Sequence, residues 1–566
     1  MAFVGAAMFT SCADNDPLDF QVTKPEKLSQ YEYLNGYDVL KNYVDAEANP
    51  NFILGSAVNA EEYNKKGVVY ALTNTNFQDV VTVNAFKYAS CVDENGQMNF
   101  TTVKDFVKNA TSAGLSVFGH TLAWHSQQNN KYLNKIIAGR VDPTAPPVFV
   151  DKEDKVCDYS QMDHFPWYVM GYTPKFEDGC MVSENPGSWY QYFAEDNIPT
   201  DKGATYYIDV VIKGSEPGSF KVNMGDWGGS ASAQLAYGTE FKTVTLKMNE
   251  VPASKSFVIF QPGNQAGKIW IKSLRVYHKV SSNFITLTPE EQKDTLIWAM
   301  DKWIGGIMSA CAGRVKAWDV VNEPISGVDK DGDGFYDLQS ATRETVGAKD
   351  AEANFYWQDY LGDLDYVRTA VALARKNFAA TGGNAADLKL FVNDLNLEAT
   401  WDNNKKCSSL VDWIKKWEAD GKTKIDGIGT QMHVSVNMNA AAQKKQEECV
   451  AKMFEIMAAS GKLVRISELD MGIVDEEGNE VKTVDATEEQ LKAQAKYFNY
   501  IVRTYFEKVP AAQRYSICAW GQTDSPAGSG LRAGMPIGIW DANYNRKHAY
   551  AGFADGLAGK EYTAGE

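Results

Sequence analysis

Cysteines in this sequence never form a CxxC pair and never stand at ligand spacing from one of its six histidines, which disfavours a zinc site. With Cys12 set aside, Cys91, Cys157, Cys180, Cys311, Cys407, Cys449 and Cys518 remain, an odd and widely spaced set that disfavours a dense disulfide framework. Basic charge is scarce as well. Against 73 Asp and Glu stand 56 Lys and Arg, for a formal charge of −17, and no basic cluster offers a surface to nucleic acid or anionic lipid. What the chain has is length and rings: 566 residues, 44% hydrophobic, exceed one usual core and imply two or more globular units. Its 14 Trp suit the stacking of sugar rings, and they suit any large core equally.

Residues 1–12 read MAFVGAAMFTSC, an apolar stretch too short to span a bilayer, ending in small residues and Cys12. Without a basic segment before it, the stretch still resembles the end of a bacterial lipoprotein signal peptide. That resemblance implies a lipid on Cys12 as the membrane contact, and an outer-membrane lipoprotein at the cell surface or in the periplasm of a Gram-negative bacterium. Residues 13–30 are polar and read as a tether.

Eight short apolar runs follow, each closing on a polar cluster: 52–58, 80–83, 115–118, 315–321, 388–392, 425–428, 463–466 and 515–520. Between most of them lie segments with apolar residues three and four apart, such as 289–311 and 488–508. Thr288-Pro289-Glu290-Glu291 adds a helix-start signal. Buried strands alternating with helices predict an α/β fold, a parallel (β/α)8 barrel, in two parts at 31–130 and 286–560. From 131 to 285 the helical period disappears, and Gly/Pro/Ser turns separate strand-like runs at 206–212, 242–246, 257–260 and 268–277. This pattern predicts an inserted antiparallel β-sandwich.

The run ending at Val321 opens into Asn322-Glu323-Pro324, and the run ending at Ile466 into Ser467-Glu468-Leu469-Asp470. Two carboxylates thus fall at the C-terminal ends of barrel strands, the face on which barrel active sites are built. Glycoside hydrolysis needs such a pair, one to protonate the departing oxygen and one to attack carbon or activate water. Other strand ends carry His120, Trp124, His125, Asn393, Asp394, Gln431 and His433. Amides, imidazoles and carboxylates bind hydroxyls and an indole stacks on a pyranose, so the set suits a sugar subsite.

Six segments, GHTLAWHSQ (119–127), WDVVNEP (318–324), LFVNDLNLE (390–398), IDGIGTQMHVS (425–435), ISELD (466–470) and CAWGQTDSP (518–526), are similar to the strand-end motifs of glycoside hydrolase family 10 xylanases. The resemblance implies an endo-1,4-β-xylanase acting by double displacement on xylan or arabinoxylan without a required cofactor. It makes Glu323 the acid/base and Glu468 the nucleophile. It gives Asn322 to the sugar 2-hydroxyl, Gln431 to the acid/base, and His433, oriented by Asp470, to the nucleophile. Asn84, Lys87, His120, Trp124 and Gln127 match its substrate-binding positions, and Trp520 its platform at the cleavage site. Three positions depart from the pattern: Val83 stands for a usual Glu, Leu395 for a usual aromatic and Gly528 for a usual Trp. Each departure removes a sugar contact and bears on subsite affinity.

The insert resembles xylan- or glucan-binding modules of the jelly-roll type, with Trp189, Trp227 and Tyr237 as candidate stacking residues. Asp329, Asp331 and Asp333 alternate as in the start of a calcium loop, although position twelve is Ser340. A structural calcium ion and a plain acidic surface loop both fit that pattern. Two other functions fit the whole sequence, an endo-β-1,4-glucanase using the same carboxylate pair and a non-catalytic surface glycan-binding protein.

Overall fold

The structure, a computed structural model, describes residues 30–144, 148–163, 172–184, 191–263, 267–281 and 283–563. Cys12 and most of the 13–30 tether lie outside the described residues. The chain divides into two compact units, one formed by the segments up to Ile137 and from Thr288 onward, the other by Ala138–Leu287.

The first unit is a closed barrel of eight parallel strands: β1 Ile53–Val58, β2 Asp79–Thr82, β3 Ser116–Ala123, β4 Ala317–Asn322, β5 Lys389–Asp394, β6 Gly427–Thr430, β7 Leu463–Val474 and β8 Arg514–Trp520. Closure comes from β6, which pairs with β5 on one side and with β7 on the other, in the register Gly427 to Leu463 and Thr430 to Ile466. These are the eight apolar runs, and their near-continuous burial reflects a sheet covered on both faces. A further strand, His433–Asn437, pairs with the distal half of β7 and places His433 beside Asp470.

Two of the covering helices begin with reciprocal caps. Thr288 and Glu291 form a capping box at Pro289–Cys311, and Thr487 and Gln490 form another at Glu488–Lys508. Each box supplies partners for two backbone N–H groups that the helix cannot satisfy itself. Inside the barrel, Phe118, Phe391, Cys518 and Trp520 pack together. Arg465, fully buried, lies 3.5 Å from the Phe118 ring centroid and 3.5 Å from Asp319. The barrel extends further than residue 130, because the helix Asn130–Ala138 buries Leu133 and Ile137 in the same core as the strands. The second unit therefore begins about seven residues beyond the loss of helical period in the sequence.

That unit holds two antiparallel sheets. One has the strand order Gly229–Tyr237, Gly218–Asp226, Lys255–Gln261 and Tyr192–Pro199. The other runs Lys242–Met248, Tyr206–Gly214, Lys268–Ser281, Cys180–Glu184 and Lys175–Glu177, with Phe149–Asp158 also paired to Lys268–Ser281. Strict alternation along Tyr206–Gly214 sends Ile208 and Val210 into one core with Val222, Met224 and Phe260 of the other sheet. Antiparallel pairing of Gly139–Val141 with Phe284–Thr286 joins the two chain ends of the unit.

Candidate active site

Glu323 follows the last residue of β4 and has φ +52°. A left-handed backbone costs a non-glycine residue on the order of 1 kcal/mol. Two hydrogen bonds hold it: the Glu323 N–H donates to the Asn393 carbonyl at 2.7 Å, and the Gln339 amide donates to the Glu323 carbonyl at 2.8 Å. The side chain is thereby aimed at three neutral donors. Trp124 Nε1 donates to Oε2 at 3.0 Å, while Gln431 Nε2 and Asn322 Nδ2 donate to Oε1 at 2.7 and 3.3 Å. Burial raises the Glu323 pKa, and the nearby carboxylates Asp394 and Glu468 raise it further, against the opposing Gln431 and Trp124 bonds.

Glu468 sits midway along β7, buried where Glu323 is only half-buried, and its surroundings are cationic. Asn393 Nδ2 donates to Oε1 at 3.1 Å, and His433 Nε2 lies 3.3 Å from Oε2. Burial alone would raise this carboxyl. The His433 hydrogen bond outweighs it, together with His120, His433 and Lys87 as neighbours, and holds the pKa down to about 2. His433 shows the reciprocal effect: despite desolvation, Asp470 at 2.7 Å from Nδ1 and Glu468 push it up to about 10. Met432, with φ +62°, makes the turn that lets Gln431 reach Glu323 while His433 reaches Glu468.

Two amides link the carboxylates. Asn393 Nδ2 donates to Asn322 Oδ1 at 2.9 Å as well as to Glu468, and Ser467 fixes the Asn393 rotamer by donating to its Oδ1 at 2.7 Å. Beneath them, His120 Nδ1 and Asp319 are 2.9 Å apart, and the His120 and Trp520 ring centroids lie 5.7 Å apart. Lys87 Nζ donates to Asn84 at 3.2 Å and sits 5.1 Å from the Trp124 ring centroid. Gln127 lies apart from this cluster: its side chain is exposed, and its carbonyl accepts from the Ala89 N–H. His125 stacks on Tyr356 at 5.2 Å, and burial pushes its pKa down to about 3.

Several supporting groups have no signature in the sequence. Lys406 Nζ lies 2.8 Å from buried Asp394, and Arg532 Nε lies 3.2 Å from Asp470. Arg532 belongs to a long loop after β8 without periodicity, so no spacing could point to it. A cleft of about 640 Å³ opens at Glu323, lined by Tyr336, Leu395, Trp401 and Lys406 among others. A larger hollow of about 850 Å³, walled by Tyr31, Asp541 and Arg546, contains neither carboxylate. Size alone does not locate the chemistry.

The remaining candidate residues lie elsewhere. Asp329, Asp331 and Asp333 bring carboxylate oxygens within 4.8 Å of one another, but Lys405 and Lys416 already pair with Asp329 and Asp333 at 2.8 and 3.2 Å. In the second unit Trp227 is 73% exposed at a hairpin tip, its ring 5.2 Å from Phe257 and 5.9 Å from Phe193. Tyr237 is a core residue rather than an open platform, with its ring against Phe220. Alternation along its strand turns it inward, which the neighbouring turn residues conceal in the sequence. Trp189 lies outside the described residues.

Comparison with known proteins gives a consistent picture. The pattern of glycosyl hydrolase family 10 matches residues 43–145 and 272–556, more than half of the chain. An endo-β-1,4-xylanase of Cellvibrio japonicus is 29% identical over 265 residues, covering 44% of this chain and 38% of the relative. A second xylanase of that organism is 31% identical over 265 residues with the same coverage. The chain thus spans well under half the length of these curated relatives. The solved structure of native xylanase 10C from Cellvibrio japonicus aligns with TM-score 0.52 and 19% identity, covering 93% of this chain and 74% of that one, a likeness of fold.

Proposed function

Because the chain belongs to glycosyl hydrolase family 10, we propose that it is a retaining endo-1,4-β-xylanase with Glu323 as general acid/base and Glu468 as nucleophile. The opposed surroundings of the two carboxyls carry this reading: neutral donors and neighbouring carboxylates shift Glu323 towards the acid form, and His433 shifts Glu468 towards the anion. A pair driven apart in this way divides the roles of acid and nucleophile. In the first step Glu323 gives its proton to the glycosidic oxygen as that bond breaks, and Glu468 forms an ester to the anomeric carbon. Glu323, now ionised, then takes a proton from the water that cleaves the ester. Asn393, bonded to both Asn322 and Glu468, holds the two halves in register.

Xylan as substrate is supported by the names of the relatives. Time-resolved proton NMR of xylo-oligosaccharide cleavage tests mechanism and substrate together. The β-anomer is expected first, and initial release of α would refute double displacement. Comparing xylan with cellulose separates this activity from a glucanase.

The second unit is read as a glycan-binding module because Trp227 exposes its indole beside Asp226 and Asn197. Retardation of the full chain in a xylan affinity gel, lost in Trp227→Ala, checks that role. Lipid attachment at Cys12, placing the protein at the surface or in the periplasm of a Gram-negative cell, is a further part of the proposal. It is supported by the N-terminal motif and tested by palmitate labelling that disappears in Cys12→Ala. A calcium ion at Asp329, Asp331 and Asp333 would compete with Lys405 and Lys416 and would therefore bind weakly.

A further inference from the structure

The cleft that opens at Glu323 is lined by that residue but not by Glu468, Lys87, His120 or Trp520. It therefore lies on the side of the proposed proton donor, away from the nucleophile. An acid that protonates the glycosidic oxygen lies beside the atom that departs with the leaving sugar, so the leaving portion of a chain must occupy this side. At about 640 Å³ the cleft falls in the range of roughly 300–1,000 Å³ that admits ligands the size of a short oligosaccharide.

Trp401 lines the cleft and is 74% exposed. A single exposed apolar residue on a surface needs no explanation, but this one stands on a fixed turn beside the reacting acid. Asn404, fully buried in the left-handed region at φ +64°, donates to the carbonyls of Leu397 and Cys449 at 2.9 and 3.0 Å. Asp402 accepts from the Lys406 N–H at 3.0 Å and so ties the turn to the first turn of the following helix, Lys405–Glu418. The turn that carries the indole is thus already ordered, which spares that part of the cost of contact with a ligand. Charge narrows the ligand further. Glu323, Asp350 and Asp402 line the cleft against one ammonium group, Lys406, which is already paired with Asp394.

We propose that Trp401 is the stacking platform for an uncharged pyranose of the leaving portion of the substrate, and so sets how the enzyme grips the chain on that side of the cleaved bond. The inference rests on Glu323 being the acid. Two substrates separate its failure from a failure of that assignment. Xylohexaose fills the leaving side, whereas β-xylobiosyl fluoride departs as fluoride and places no sugar there. Trp401→Ala is expected to lower kcat/KM for xylohexaose about tenfold, the scale of losing an aromatic face to sugar contact, and to shift cleavage along the hexamer. Turnover of the fluoride should be unchanged, and Trp401→Phe should keep much of the xylohexaose activity. Unchanged xylohexaose kinetics in Trp401→Ala would overturn the platform, as would an equal loss on both substrates, which would mark a structural role. A wild-type chain that cleaved neither substrate would overturn the functional reading and the inference with it.

Discussion

Glu323, half-buried just past the end of β4, and Glu468, buried within β7, are the same residue type in one barrel, and their carboxyls are driven in opposite directions. Glu323 receives bonds only from neutral groups, the Trp124 indole and the Gln431 and Asn322 amides, and it faces Asp394 and Glu468. Glu468 has His433 within hydrogen-bond distance, with His120 and Lys87 nearby. Neutral donors soften the penalty of burying a carboxylate but do not offset it when other carboxylates are close, whereas cations do. The contrast teaches that division of labour in a carboxylate pair is set by the charge of the partners, since the more deeply buried of the two is the one held ionised.

The largest effect expected from breaking this comparison is Glu468→Ala, which should reduce xylan hydrolysis to background. Azide should restore turnover and yield the α-glycosyl azide, because it enters on the face the carboxylate has vacated. Glu323→Ala should cost roughly 10²–10⁴-fold on xylan and much less on an aryl xyloside whose leaving group needs no proton. Wild-type activity in either variant would remove that residue from the mechanism.

A smaller effect comes from altering the cation beside Glu468. In His433→Gln the imidazolium is lost, so the folded pKa of Glu468 rises from about 2 towards the ordinary carboxylate range. The anion is the competent form, and the acidic limb of kcat/KM against pH therefore moves to higher pH. Asp470→Asn, which weakens the support of His433 at 2.7 Å, should move it in the same direction by less. A stationary limb in both variants would show that the charge of His433 does not control Glu468.

On the other carboxyl, Gln431→Leu deletes a bond to the ionised form of Glu323. Its pKa should rise, and since the protonated form is competent, the basic limb should move modestly to higher pH. A downward movement would contradict the environment described for Glu323. Smallest of all is the expected response to calcium chelation: with Lys405 and Lys416 on the acidic loop, Tm should not change.

Barrel and sandwich also differ in how much of each was legible in the sequence. The eight barrel strands could be read because burial on both faces makes a strand a continuous apolar run, and the residue closing each run is then at a strand end. Glu323, Asn393 and Gln431 can be read in that way, whereas His120 lies inside β3 rather than at its end. In the sandwich only alternation was available, and it did not separate Trp227, exposed at a tip, from Tyr237, turned into the core. The first barrel segment ends later than 130 because Leu133 and Ile137, four apart on one helix face, pack into the barrel core, a period too short to stand out beside the turn-rich stretch that follows.

The order of residues by itself determined the strands, the helices between them and the set of polar groups that strand ends present, since those follow from local periodicity. Only the tertiary structure decided what each polar group meets. Gln431 reaches Glu323 across 108 residues and Asn393 reaches Glu468 across 75. Lys406 beside Asp394, Arg532 beside Asp470 and Trp401 in the cleft likewise depend on contacts without a sequence period. Protonation follows burial and the charge of neighbours within a few ångströms, and those neighbours come from chain segments that meet only when the barrel closes.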